Sequence, residues 1–149
     1  MAANEEICCF GGKEVRKIDS ASRVSIPASF RSRLGQTVYL LKSLSKEPCV
    51  IIYSEEGWQE YYKNLSNIYE GKLLTKFQRR SVGNVDMAVV DKCGRIVLKK
   101  DVLDFTGITE EALVVCYPDR VEIWNEQNWL SAFEDDDDDE GVDKWVPTK

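Results

Sequence analysis

Apolar residues along the chain fall into two series of short runs, each organised around an acidic residue and an arginine. Before Asp19, Val15 and Lys17 alternate, and before Asp91, Val85, Met87 and Val89 do the same, with the period of two expected of half-buried strands. After each arginine the strand pattern resumes as Val24-Ser25-Ile26 and Ile96-Val97-Leu98, which puts Asp19-to-Arg23 and Asp91-to-Arg95 on the turns of hairpins. Pro27 then starts a short helix, its fixed φ suiting a first turn, with Phe30 and Leu34 on one face and Gly35 as a left-handed cap. The second series uses Asp101, Val102, Phe105 and Gly107 in the same way. Apolar strands follow in both, residues 38–41 with 50–53 and 112–117 with 121–124. Trp58-Gln-Glu-Tyr61-Tyr62 and Trp129-Leu130-Ser-Ala-Phe133 each begin a helix, and the first continues into a connecting segment around Leu73, Leu74 and Phe77. These helices are candidates for packing between halves or between subunits.

The two series are one pattern written twice. At a shift of 72, Ile18-Asp19-Ser-Ala-Ser-Arg23-Val24-Ser-Ile26 lies over Val90-Asp91-Lys-Cys-Gly94-Arg95-Ile96-Val-Leu98, and Gly35 over Gly107. At a shift of 71, Val50-Ile-Ile52-Tyr53 lies over Val121-Glu-Ile123-Trp124, and Trp58 over Trp129. A unit of strand, loop, strand, short helix, strand, strand is too small to bury its own apolar faces, so the two copies are expected to complete one core. The predicted class is mainly β with short helices (α+β), a tandem repeat with a pseudo-twofold axis. Its expected segments are a first repeat at 8–56, a helical connector at 57–83, a second repeat at 84–133 and a disordered acidic tail at 134–149.

Composition narrows the function. The 149 residues, 43% of them hydrophobic, suffice for one globular domain. No window of eighteen apolar residues occurs, and Met1-Ala-Ala-Asn-Glu-Glu lacks the basic start and apolar run of a signal peptide, so a cytosolic protein with no membrane partner is expected. Cys8, Cys9, Cys49, Cys93 and Cys116 form neither a disulfide framework nor paired zinc-ligand spacings and read as reduced thiols, with Cys8 and Cys9 read as small buried or semi-buried residues in preference to a metal role. The chain has no histidine, which removes the usual nucleophile partners and the commonest general base. An enzyme is a poor reading, and no cofactor is expected.

The net charge of −6 is opposite to the basic footprint of a nucleic-acid binder, but it is local. Residues 134–149 hold eight acids against Lys144 and Lys149, and the preceding residues balance 18 acids with 18 bases. The acidic run reads as a solubilising segment, or else as an autoinhibitory strip competing with DNA for the arginine loops.

Within a tight loop the carboxylate of Asp-x-x-x-Arg can accept loop N–H groups or orient the guanidinium, whose fork matches phosphate oxygens. A lone pair of this kind is ordinarily a surface ion pair of little consequence. Two copies on equivalent loops would instead set several arginines on one face, as tracking a polyanionic backbone requires.

Phe10-x-Gly12, Asp19-x-x-x-Arg23-Val-Ser-Ile-Pro27, Phe77-Gln-Arg79-Arg80, Asp91-Lys-Cys-Gly94-Arg95-Ile and Val121-Glu-Ile-Trp124-x-x-x-x-Trp129 resemble the MraZ pattern over residues 8–133. That family is similar to the AbrB/SpoVT swapped-hairpin group. The resemblance implies a tandem AbrB-like swapped-hairpin β-barrel, assembly into ring-shaped homo-oligomers, and binding to repeated elements of double-stranded promoter DNA in the bacterial cell-division and cell-wall gene cluster. A nucleoid-associated transcriptional regulator, in the sense of a repressor, is thus expected. Arg23 and Arg95 fall on the motif arginines, with Asp19 and Asp91 as orienting partners. Arg16, Lys17, Arg31, Arg33 and Lys92 lie near the same loops and add phosphate contacts or are solvated surface charges. Arg79 and Arg80 read as structural or interface residues. The sequence departs from the pattern at Ala21 and at Ser22, which stands where the family has a small flexible glycine. A positive φ there would cost serine about 1 kcal/mol, so the second loop, with Gly94, is expected to be the better preserved. Competing readings are a swapped-hairpin antitoxin, which would carry a toxin-binding tail where this chain has a second unit, and a structural ring, or a binder of RNA or protein, without DNA binding.

Overall fold

The computed structural model describes residues 12–44 and 46–136, with side chains through Ala132. β1 (Lys13–Lys17) enters the first loop, followed by β2 (Arg23–Ser25), α1 (Ala28–Leu34), β3 (Thr37–Lys42) and β4 (Cys49–Ser54). Two helices, α2 (Glu55–Ile68) and α3 (Gly71–Gly83), separate this series from its recurrence. The second series runs β5 (Val85–Val89), β6 (Arg95–Val97), α4 (Lys100–Thr106), β7 (Glu111–Cys116) and β8 (Val121–Trp124), and α5 (Glu126–Asp136) follows. The architecture is mixed α and β, most strands lying in one antiparallel sheet.

That sheet has six strands in the order β1-β7-β8-β4-β3-β5, while β2 and β6 form a separate two-stranded ribbon. Exchanging each strand for its counterpart in the other series turns the six-strand order into its own reverse. β1 pairs with β7 of the second series, and β5 with β3 of the first. The expected barrel is not found: among the described residues the sheet is open, with β1 and β5 at its edges. The reason lies in the three-residue strands β2 and β6, which pair with each other in a separate ribbon and add no strand that would close the sheet. The expected hairpins are likewise only turns. Asp19 N–H donates to Arg23 O (3.1 Å) and Asp91 N–H to Arg95 O (3.0 Å), but beyond the turn the flanking strands part into different sheets.

The main core lies between ribbon and sheet. Val24, Ile26, Ile96 and Leu98 of the ribbon segments, with Phe30, Leu34 and Val102 of the short helices, close on Val38, Val50, Ile52, Val114, Val121 and Ile123. Each such side chain, fully buried, contributes about 1.5–3 kcal/mol. The helix face in the second series is Val102 and Thr106, the counterparts of Phe30 and Leu34 at the shift of 72. Phe105, expected there, is exposed because it falls at the position of Arg33. Thr106 is accommodated in the core by donating its hydroxyl to Val102 O at 2.8 Å. Gly107 is the left-handed cap (φ 75°, ψ 15°), whereas Gly35 has positive φ with an extended ψ (79°, −168°) and is not.

The opposite sheet face carries a smaller cluster of Cys49, Leu113, Val115 and Trp124, covered by Trp129 and Ala132 of α5. On the same face Trp58 of α2 stacks on Tyr39, with centroids 5.9 Å apart, and meets Tyr53. Trp58, Trp124 and Trp129 are thus packing residues. Ser54 caps α2 by accepting from Gly57 N–H at 3.0 Å, and Glu55 and Glu56 complement the positive end of the helix. α3 turns back along α2, joined by Tyr61 Oη and Ser81 Oγ at 2.8 Å and by the stacked rings of Tyr69 and Phe77. Val15, Met87 and Val89 lie on this second face at the two edges, where α2 and α5 do not reach, and remain 47%, 63% and 71% exposed. Their alternation is real, but their half-burial is not. α5 extends to Asp136, so residues 134–136, expected to begin a disordered tail, are helical. The rest of that tail, and Cys8, Cys9 and Phe10, lie outside the described residues.

Candidate nucleic-acid interface

Both loops hold their arginine by the same three hydrogen bonds. Asp19 Oδ1 accepts from Ala21 N–H and Arg23 N–H, both at 2.9 Å, and Oδ2 accepts from Arg23 Nε at 2.8 Å. Asp91 Oδ1 accepts from Cys93 N–H at 2.9 Å and Arg95 N–H at 2.8 Å, and Oδ2 from Arg95 Nε at 2.9 Å. The short aspartate side chain fits here because it can bond the backbone of its own turn while reaching the residue four positions on. The backbone bond from Arg23 is the largest influence holding the Asp19 carboxyl below its ordinary 3.8, and the bond from Arg95 acts alike on Asp91.

The ribbon joins the loops into one cluster. Arg23 lies opposite Val97 and Ser25 opposite Arg95, so the two turns approach across the axis of exchange. Arg95 Nη1 is 3.7 Å from Asp19 Oδ2, and Arg23 Nη1 is 4.0 Å from Asp91 Oδ2. Two guanidinium groups and two carboxylates thus alternate, each about a third exposed. The Nε edges are committed to the loops' own aspartates. Among the described residues the Nη edges make only long contacts across the cluster, and they are the part an incoming phosphate oxygen can engage.

Ser22 adopts φ 61°, alongside φ 77° at Gly94. The first loop therefore keeps the hydrogen-bond geometry of the second, and the expected better preservation of the second loop is not seen in that geometry. The reason is that neighbouring bonds dictate the turn: Ser22 O accepts from Leu98 N–H at 2.8 Å, as Gly94 O does from Ile26 N–H at 2.9 Å. Serine occupies the left-handed region under strain. A Ser22→Gly variant is expected to gain about 1 kcal/mol in denaturant unfolding. Gly94→Ala is expected to lose at least about 1 kcal/mol, because alanine would be held at φ 77° and its Cβ, 2.0 Å from Arg31 Nε, would push that side chain off its bond to Ile26 O.

That contact places Arg31 directly on the second loop, although it belongs to the first series. Its Nε donates to Ile26 O at 2.9 Å, and it lines a shallow groove with Asp91, Lys92 and Gly94. Lys92 is exposed at the loop tip, and Lys17 is exposed at the end of β1. Arg16 is tied down, its Nη1 donating to Ser25 Oγ at 2.9 Å and its Nε to Glu14 at 2.9 Å. Arg33 instead lines the cleft between α1 and α2. Sequence reasoning assigned each aspartate to its own arginine and missed the cross-loop contacts; no linear spacing encodes them.

The depressed carboxyls fix a sign for pH dependence. A group whose folded value lies below its unfolded one contributes stability above the unfolded value, near 3.8 here, and loses it as pH falls through the folded value. The loops are expected to keep their structure from about pH 7 to about pH 5 and to loosen only below about pH 4. Asp19→Asn/Asp91→Asn should flatten that acid limb in a pH series of thermal melts.

Comparison with known proteins matches these loops to a family. The family model described as "MraZ protein, putative antitoxin-like" matches residues 9–80. The "Transcriptional regulator MraZ" of Lachnoclostridium phytofermentans is 27% identical over 130 residues, 87% of this chain and 91% of that one. That of Acetivibrio thermocellus is 29% identical over 128 residues, covering 85% and 88% of the two chains. The protein of the same name from Desulforamulus reducens is 31% identical over 121 residues, covering 80% and 84%. At that identity and coverage, the chain belongs to the MraZ family.

Proposed function

We propose that this protein is a DNA-binding transcriptional regulator that represses the bacterial cell-division and cell-wall gene cluster by binding repeated elements of its promoter. The observation that carries the reading is the joined cluster of Asp19, Arg23, Asp91 and Arg95. The relatives named transcriptional regulators support it, and they speak for regulation rather than catalysis; the chain is not an enzyme.

In this reading a DNA phosphate inserts between the two guanidinium groups and replaces the long cross-loop contacts with charge-assisted hydrogen bonds. Asp19 and Asp91 keep the forks aimed throughout. Arg31 and Lys92 extend the contact along the backbone, and Lys17 adds a flanking charge. One neutral cluster binds weakly, so affinity comes from several copies acting together. A ring-shaped homo-oligomer provides them, and the exposed Val15, Met87 and Val89 on the sheet edges, with Ile68, Leu73 and Val82 on the helical pair, suit contacts between copies. The two series correspond to tandem swapped-hairpin repeats at 8–56 and 84–133 joined by 57–83. Among the described residues no helix is long and apolar enough to cross a membrane, and the proposed site of action is the nucleoid in the cytoplasm.

Fluorescence anisotropy across a salt series tests the proposal, with the promoter region of that cluster against scrambled DNA. Expected are a preference for the promoter and a steep loss of affinity as salt rises. No binding at low salt by an assembled oligomer would remove the DNA function and leave the fold standing. The family model's antitoxin-like description favours a second reading, for which co-purification of a toxin partner is the distinguishing result.

A further inference from the structure

The most basic of the described elements lies away from the arginine loops. α3 carries Lys72, Lys76, Arg79 and Arg80 and no acid; these four line one shallow groove with Thr75. Spacings of four, seven and eight residues put them on one side of the helix over about 12 Å of its axis. Among the described residues none of the four has an acidic partner, in contrast to Arg16, Arg23, Arg95 and Arg120. Arg80 lies over the Phe77 ring at 5.9 Å, which leaves its charge available.

We propose that this stripe is the docking surface for the chain's own acidic run, residues 135–140. Charge complementarity is the first argument: five aspartates and a glutamate in sequence complement four cations that have no acidic partner among the described residues. Position is the second. α5, from which the run continues, packs on the sheet face that Trp58 of α2 also covers, and α2 carries α3. The Asp/Arg cluster belongs to the ribbon on the other face. β8 and β5 are three strand spacings apart in the sheet, about 14 Å. Asp135 and Asp136 end α5, and the four residues that complete the run, if extended, reach about 14 Å, the same span, so the run can approach α3 within one chain. The arginine loops are the poorer target because their guanidinium groups already face two carboxylates. Docking would mask a basic surface that otherwise attracts nucleic acid without regard to sequence. This inference does not depend on the DNA-binding proposal.

Zero-length carbodiimide coupling of the full-length protein, co-assembled from 14N- and 15N-labelled chains and mapped by mass spectrometry, tests it. Expected at low salt are amide crosslinks from residues 135–140 to Lys72 and Lys76 within chains of one isotope. Their yield should fall at least about fivefold at 0.5 M salt, where the screening length is near 4 Å. Arg79→Glu/Arg80→Glu should lower it by a similar factor. The Lys42–Asp101 pair, at 3.1 Å, is the internal control for coupling and folding. Absence of these crosslinks while the control couples would overturn the proposal, as would coupling of the run to Lys17 or Lys92 instead, or only between chains of different isotope.

Discussion

An Arg23→Ala/Arg95→Ala double variant is expected to lose at least about 100-fold in promoter affinity at moderate salt, the product of two charge-assisted phosphate contacts per chain at about 1.5–3 kcal/mol each. The single variants should not simply add. Each guanidinium also lies 3.7–4.0 Å from the other loop's aspartate, so removing one leaves the second arginine between two carboxylates. That arrangement holds the remaining arginine more firmly and repels phosphate more strongly. Each single variant is therefore expected to lose more than half of the double variant's binding free energy, with a double-mutant cycle giving the coupling. Equal and additive single losses would show that the loops act separately and that the cross-loop contacts do not matter to binding. The slope of log affinity against log salt separates lost phosphate contacts from unfolding, since it should become shallower while thermal melts stay close to wild type.

The largest effect on the fold is expected from Phe30→Ala, at about 3–5 kcal/mol of destabilisation in denaturant unfolding. Phe30 is 2% exposed and belongs to the core shared by ribbon, helices and sheet. Deleting its ring leaves a cavity at the edge of the core that both series share. Val102, its counterpart, is equally buried but smaller, and Val102→Ala should cost about 1–2.5 kcal/mol. A loss at Phe30 no greater than at Val102 would mean that α1 does not hold the core as placed. The same unfolding curves should show one transition for both variants, because each series completes the other's sheet.

Much of this was legible in the sequence. The duplicated Asp-x-x-x-Arg loops, the short helices and the four apolar strands stand where the patterns put them, because turn chemistry and strand alternation are local properties. The errors share a cause. Phe105 reads as inward from its own apolar character, while the repeat shift points to Val102 and Thr106. Val15, Met87 and Val89 alternate as strand residues do, but alternation shows only that they share a face and is silent on whether another element covers it.

The sequence by itself determined which residues form the loops, and why: aspartate bonds the backbone of its own turn, and arginine four positions on meets the same carboxylate. It determined too that the chain contains one unit twice. Tertiary structure alone decided that β2 and β6 pair across the axis of exchange, bringing four charged groups from residues 72 apart into one cluster. It also decided that Arg31 lies against Gly94, and that α3 keeps its four cations clear of any acid among the described residues. These are contacts between segments distant in the chain, fixed by the register of strands and the packing of faces, and no local spacing carries that information.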